Sequence, residues 1–374
     1  MRVLHVISDE NIGGAGVLLT TLLRNFDREQ VKSAVALPQG SALRERIEGL
    51  DIPVYALSHS CDRLSLASVR ELQEIIKDTE VELIHANAAL SARVAGKRLG
   101  LPVIHTRHCC YPPSGIWKNR MARYVGGRCN RMLSDCVIAT AEAAAEDLRA
   151  LGVPNEKIKV IINGSEAVRE VNEDEREVLR THWGIGRDDF TVGICARLEA
   201  CKGHETFLQA AKLVRERMPR IRFRFLIVGE GSLRKELERR VDVLGLREYV
   251  RFLGFVSDMA PIYRILRLNV NCSNGTETSC LAISEGMSAS LPTVASDYGG
   301  NRAMIGESEA GILFPVGDAE ALARAICEIA ASKETEARMK SAAYERYLQR
   351  YTAKGMTDEV TALYERLLAS ANFN

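Results

Sequence analysis

Glu277 and Glu285 stand eight positions apart in ETSCLAISE, residues 277–285, just after a strand-like run. On a helix, eight positions turn through about 800°, within about 80° of full turns, so both carboxylates can face one ligand. Thr278 and Ser279 read as N-cap residues of that helix, which would leave free N–H groups at its start. Arg197 and Lys202, in GICARLEACKGHE (193–205), follow another strand-like run and precede another helix. A guanidinium fork and an ammonium charge both suit phosphate. Carboxylates do not bind phosphate, but they accept hydrogen bonds from hydroxyls. Glutamates flanking two phosphate-binding cations suit a molecule with a sugar at each end of a diphosphate. Such a molecule is a nucleotide sugar.

A further candidate lies in SDENIGGAG, where Gly13, Gly14 and Gly16 separate the first strand-like run from a helix. Glycines let backbone N–H groups approach an anion, and a helix N-terminus favours negative charge. The spacing is not G-x-G-x-x-G and no P-loop lysine is present. A tight turn made for packing explains these glycines equally well.

Positioning such groups requires strands that end together. RVLHVI (2–7) reads as a buried strand, and Val17, Leu18, Leu22, Leu23 and Phe26 follow at helical spacing. VKSAVAL (31–37), ELIHA (82–86), PVIHT (102–106), CVIAT (136–140) and KVII (158–161) are further strands. Alternation with amphipathic helices predicts a parallel sheet covered on both faces. After Asn163-Gly164 a charged helix reaches about Trp183. FTVGIC (190–195) then opens a second series, continued by RFRFLIV (222–228), YVRFL (249–253), LNVNC (268–272) and PTVAS (292–296). The expected fold is α/β, with two tandem Rossmann-like doubly wound domains, 1–165 and 166–355, facing a cleft. A final helix, about 356–371, would cross back, so that 356–374 joins the first domain. Ligands of such sheets bind beyond the carboxyl ends of the strands.

The 374 residues carry a formal net charge of +1, which argues against a nucleic-acid binder. The charge is uneven. Leu83–Ser134 holds nine Lys/Arg and no Asp or Glu, which leaves the rest of the chain at −8. A positive surface concentrates anionic partners. Within this stretch Trp117, Met121, Tyr124 and Val125 fall at i, i+4, i+7 and i+8 among Lys118, Arg120, Arg123 and Arg128. One reading is an amphipathic helix packed on its own domain, although Gly126-Gly127 weakens any long helix. The other is a face for an anionic acceptor, such as a lipid-linked diphosphate, or for an anionic membrane surface.

Ten cysteines include no C-x-x-C pair. A zinc site from His108, Cys109, Cys129 and Cys136 is a minor reading. The main one is buried, apolar cysteine in a reducing, cytoplasmic protein. RVLHVI follows Met1 directly, so a secretory leader is not expected, and no run reaches the ~18 apolar residues that span a bilayer.

The pieces, in their order, resemble the retaining family-4 glycosyltransferases with the GT-B fold, over nearly the whole length. The resemblance rests on GGAG (13–16), IHAN (84–87), His108 after PVIHTRH, INGS (162–165) and ARLEACKGHE (196–205). It also rests on VGEGS (228–232), LGFVSD (253–258) and the E-x7-E pair Glu277 and Glu285, followed by LPTVASDYGGN (291–301). It implies that Arg197 and Lys202 neutralise the diphosphate leaving group and that Glu285 holds the ribose hydroxyls. Glu277 would contact the donor sugar, and the N–H groups of Thr278 and Ser279 the β-phosphate or sugar. The backbone near Val256 would touch the base. Gly14 and Gly16, beside Gly13, would approach the β-phosphate, and His108 would lie near the reaction centre. The sequence departs from the family pattern at Thr278 and Ser290, where glycine is usual, and at Gly286, where alanine is usual.

The function so implied is transfer of a hexose or N-acetylhexosamine, with retention, from a nucleotide-diphosphate sugar to a hydroxyl acceptor. UDP is favoured over GDP. The acceptor would be a lipid-linked or polysaccharide glycan, bound by the first domain. There is no D-x-D motif for a divalent metal, so no metal and no other cofactor is expected. The location would be cytoplasmic, peripheral on the inner face of the plasma membrane. Two other readings are a nucleotide-sugar epimerase of the same fold and a non-catalytic nucleotide-sugar sensor.

Overall fold

The apolar runs form strands, and each strand pairs parallel to its neighbours. The computed structural model describes residues 1–10, 13–108, 119–275, 278–306 and 308–371, without the side chains of residues 120, 122 and 123. They fall into two compact units, Met1–Ser165 with Ala353–Asn374, and Glu166–Thr352.

The first unit contains β1 (Arg2–Ile7), β2 (Lys32–Pro38), β3 (Val54–Leu57), β4 (Leu83–Asn87), β5 (Val103–Arg107), β6 (Cys136–Ala139) and β7 (Ile158–Val160). Their order is β3-β2-β1-β4-β5-β6-β7. Helices cover both faces, because the strands are apolar on both sides. One face packs Leu18, Leu19, Leu22 and Leu23 with Met356, Val360, Leu363 and Tyr364 of the last helix, Ala353–Ala371. That helix begins three residues earlier than its apolar pattern suggested. Tyr364 ties it to the sheet: its hydroxyl lies 2.5 Å from His85 Nδ1, and His85 Nε2 lies 2.6 Å from Thr106 Oγ1. His5 and His85 are fully buried in the sheet, with ring centroids 5.4 Å apart.

The second unit contains β8 (Phe190–Cys195), β9 (Phe223–Val228), β10 (Val250–Gly254), β11 (Leu268–Asn271), β12 (Thr293–Ser296) and β13 (Gly311–Phe314), in the order β10-β9-β8-β11-β12-β13. The helix Glu173–Trp183 opens with a capping box between Asn172 and Glu175. Both sheets reverse strand order once, at β1/β4 and at β8/β11. These are the switch points where doubly wound sheets bind ligands.

The sequence reading lacked β3 and β13. Each is a four-residue strand at the edge of its sheet, with little of it buried. The zinc reading fails on register. Cys136 pairs with Ile104, and His108 lies four residues further on, about 13 Å along the strand direction. Cys129 is exposed, and Cys109 lies outside the described residues.

Candidate active site

The loop after β8 is stitched to both neighbouring strand ends. Leu198 N–H donates to Glu230 O at 2.9 Å, and its own carbonyl accepts from Leu233 N–H at 3.0 Å. Ser232 Oγ donates to Glu199 at 3.0 Å. On the other side Asn274 N–H donates to Cys201 O at 2.9 Å. Gly203 closes the turn with φ +68°, and a β-carbon there would fall 2.2 Å from Cys272 O. A side chain at this position is therefore excluded twice, by backbone angle and by space.

This lacing presents the two cations. Arg197 is exposed, and among the described residues its guanidinium has no hydrogen bond or ion pair. An arginine with five idle donors on a rigid loop is prepared for a planar or tetrahedral anion. Lys202 ends a short 3₁₀ turn and is half-buried.

The helix Leu281–Ser288 follows β11. Its N-cap is Cys280, with no side-chain cap, and this corrects the expectation of a start at Thr278 or Ser279. Thr278 is buried, and Ser279 Oγ is buried without a partner among the described residues. Glu285 lies one turn into the helix rather than two and is half-buried. Its Oε2 accepts from the Tyr263 hydroxyl at 2.8 Å. Burial pushes the Glu285 carboxyl above its ordinary range, and the tyrosine bond opposes that. Burial first, then the Glu285 charge, drives up the thiol of Cys195, two residues before Arg197. Glu285 is thus adjacent to the end of β8. Glu277 lies outside the described residues.

Beneath the loop after β11 is a buried polar brace that sequence reasoning missed. Asn301 Nδ2 donates to Asn271 Oδ1 at 3.1 Å and to Ser296 O at 3.1 Å. Ser296 Oγ donates to Ser273 O at 2.5 Å. Asn271 Nδ2 meets Cys280 Sγ at 3.0 Å. Tyr263 was missed as well. The available signal was a tyrosine inside the apolar run APIYRI, since a buried phenol needs a partner. Val256 is half-buried after β10, beside the exposed Phe255.

The first unit brings His108 and Asn87 together at the ends of β5 and β4. His108 Nε2 lies 2.9 Å from the Asn87 side-chain amide, within hydrogen-bond distance. Burial pushes His108 down to about 4, which keeps the imidazole neutral at physiological pH. Gly13 caps the helix Gly14–Asn25. Among the described residues nothing lies within 4 Å of a β-carbon on Gly14, whereas one on Gly16 would fall 2.6 Å from Leu43 Cδ2. Packing accounts for Gly16. The Asp9 carboxylate stands on the Gly13 side of the turn, 3.8 Å from the position of a β-carbon there. Among the described residues no three His, Cys, Asp or Glu side chains are placed to hold a metal. No helix among them is long and apolar enough to cross a membrane.

Two doubly wound parallel sheets in tandem define the GT-B class of fold. HepE of Anabaena, solved in complex with UDP-glucose, superposes with a TM-score of 0.84 at 23% identity, over 98% of this chain and 100% of that one. Residues 12–169 match the family model described as Glycosyltransferase Family 4, and residues 189–332 the one described as Glycosyl transferases group 1. EpsD of Bacillus subtilis (strain 168), a protein named as a glycosyltransferase, is 31% identical over 276 residues, 71% of each chain. The D-inositol 3-phosphate glycosyltransferase of Saccharomonospora viridis is 24% identical over 308 residues, 77% of this chain and 71% of that one. The chain belongs to the family-4 glycosyltransferases.

Proposed function

We propose that this glycosyltransferase moves a hexose or N-acetylhexosamine from a UDP-sugar to a hydroxyl of a lipid-linked or polysaccharide glycan. The transfer retains anomeric configuration and uses no metal. The observation that carries the reading is Arg197, exposed and, among the described residues, unpaired at the β8 strand end, two residues past Cys195, which lies beside the Glu285–Tyr263 pair. UDP is preferred to GDP because the similar HepE structures are complexes with UDP and UDP-glucose.

Breaking the anomeric bond places positive charge on the sugar and negative charge on the diphosphate. Arg197 and Lys202 neutralise the diphosphate, with the N–H groups at the start of Leu281–Ser288 as further donors. Glu285 offers its second oxygen to the ribose hydroxyls while Tyr263 holds the first. Glu277 contacts the donor sugar and the backbone near Val256 the base. Retention follows if the leaving phosphate itself deprotonates the acceptor on the same face. The first unit binds the acceptor, with His108 as a neutral hydrogen-bonding group at its strand ends. The reaction is placed in the cytoplasm, where nucleotide sugars are made, beside the membrane that presents a lipid-linked acceptor.

The test is a thermal-shift screen of UDP- and GDP-sugars followed by donor-turnover assays. A UDP-sugar should stabilise the chain, and turnover should persist in EDTA. Arg197→Ala and Lys202→Ala should each lower turnover by ~10²–10³ without lowering the melting temperature. Near-wild-type turnover in both variants rejects the assignment. Conversion of donor to an epimer without acceptor makes the chain an epimerase instead.

A further inference from the structure

The helix Arg120–Leu133 runs unbroken through Gly126-Gly127. It meets the first unit along one side. Gly127 lies flush against the chain at Leu151–Gly152, where a β-carbon would fall 2.2 Å from the Leu151 carbonyl oxygen. Asn130 Oδ1 accepts from the Arg93 guanidinium at 2.7 Å. Ser134, just past the helix, accepts from Arg93 Nε at 3.1 Å. At 3.6 residues per turn, Met121, Tyr124, Val125, Arg128 and Met132 share an arc of about 100° on the opposite side. Met121 is 69% exposed, Tyr124 63%, Val125 52% and Met132 66%. Arg128 and Arg131 are exposed too. Amphipathic helices ordinarily turn the apolar stripe to the core. Here the glycine side faces inward and the apolar stripe outward, so packing on its own unit does not account for the stripe.

Charge decides what covers it. The surrounding stretch, Leu83–Ser134, has no acid. Of the acids just beyond it, Asp135, Asp147 and Glu142 pair with Lys97 at 2.5 Å, Arg107 at 3.0 Å and Arg149 at 2.8 Å, while Glu146 and Glu156 are exposed, leaving the helix region net basic. Arg93 is spent inside the unit, while Arg98, Arg128 and Arg131 stay exposed. A second copy of this face would oppose like charges across a two-fold axis. A bilayer with anionic headgroups satisfies both parts: apolar side chains enter the acyl boundary, and arginines meet lipid phosphates. We infer that the first unit docks on an anionic lipid surface through the helix Arg120–Leu133. Met121, Tyr124, Val125 and Met132 enter the interface, and Arg128 and Arg131 contact the phosphates. The inference deepens the membrane-side reading of the function, but its support is the helix itself.

The test is co-sedimentation of the full chain with vesicles of phosphatidylcholine alone or mixed equally with phosphatidylglycerol, at low and high salt. Sedimentation is expected on the mixed vesicles only, weakening as salt shortens the Debye length. Met121→Gln/Tyr124→Gln/Met132→Gln and Arg128→Gln/Arg131→Gln should each lose roughly tenfold in vesicle affinity, with unchanged melting and unchanged UDP binding. Wild type left in the supernatant at low salt overturns the inference, as do two variants that sediment like wild type. A wild-type dimer that the triple variant converts to monomer also overturns it, because a second copy then covers the stripe. Vesicle binding by a chain that neither binds nor turns over any nucleotide sugar leaves the surface standing and rejects the proposed function.

Discussion

Gly300 lies so close to Thr278 that a β-carbon on the glycine would fall 1.4 Å from the threonine carbonyl oxygen. Its φ is an ordinary −71°, so the demand is for space and not for backbone freedom. Asn301, fully buried next to it, grips Asn271 and Ser296. The turn after β12 thus wedges the loop that leads into the Glu285 helix.

Gly300→Ala must push that loop away. Overpacking of this kind typically costs about 1–3 kcal/mol. Because Thr278 leads directly into Leu281–Ser288, UDP affinity should fall along with the second unit's melting temperature. Calorimetric binding and thermal melts check both. Wild-type values in each would mean that the loop yields freely and that the contact constrains nothing.

Ser290 occupies the left-handed region, with φ +61°, just past the end of the same helix. This is the C′ position, where glycine has no β-carbon penalty. The family glycine expected there is absent, and serine carries the strain. Ser290→Gly should therefore stabilise the second unit by about 0.5–1 kcal/mol, after allowing for glycine's greater freedom in the unfolded chain. For a unit of this size that is a rise of about 1–4 °C in melting temperature. A fall on substitution would show that the serine side chain supplies more than its backbone costs.

Sequence and structure agree where burial is two-sided and diverge where a contact decides. RVLHVI and FTVGIC are legible because central parallel strands are apolar on both faces. VYAL and GILF were not, because edge strands are half-covered and short. That Arg197 and Lys202 follow the end of β8 was legible, because the strand before them is a continuous apolar run. Tyr263 and Asn301 were not, because their partners are remote in sequence and nothing local reports them. Met121, Tyr124 and Val125 were legible as an apolar pattern; Trp117, read with them, lies outside the described residues, and Met132 was not part of that reading. The direction of the pattern was not legible, because Gly127 against Leu151 is a tertiary contact.

Tyr263→Phe removes the donor to Glu285 and leaves the ring in place. Burial then raises the carboxyl without opposition, so its pKa should rise further. The sign follows: a ligand held by the carboxylate is lost as pH falls, and in the variant it is lost at a higher pH. Hydrogen bonds to a charged group are worth about 1.5–3 kcal/mol. UDP affinity at pH 7 should drop by roughly tenfold or more, and its pH profile should shift upward. Titrations from pH 8 to pH 5 decide this, and superimposable profiles would mean that the hydroxyl does not tune Glu285.

Acid should weaken the first unit before the second. Burial pushes His5 down to about 3 and His108 to about 4, and drives His85 and His105 well below their ordinary value. In the unfolded chain each histidine takes up a proton near 6.5. The folded values are depressed, so this stability is fully present above pH 6.5. It is lost as pH falls from there towards about 4, where the folded state also protonates. Each such histidine costs up to about 1.4 kcal/mol per pH unit within that window. The second unit has one comparable group, His204, also pushed down to about 4 by burial. Its depressed carboxylates, such as Glu336 and Asp258, act only below their unfolded values, nearer pH 4. Calorimetry between pH 7.5 and 5.5 should therefore show the first unit's transition moving down further than the second's, with protons taken up on unfolding. His5→Phe should flatten the dependence, because His5 Nδ1 has no hydrogen-bond partner among the described residues and the ring already packs against Phe26. Equal shifts of the two transitions, or an unchanged slope in His5→Phe, would show that the buried imidazoles are not the groups that set acid stability.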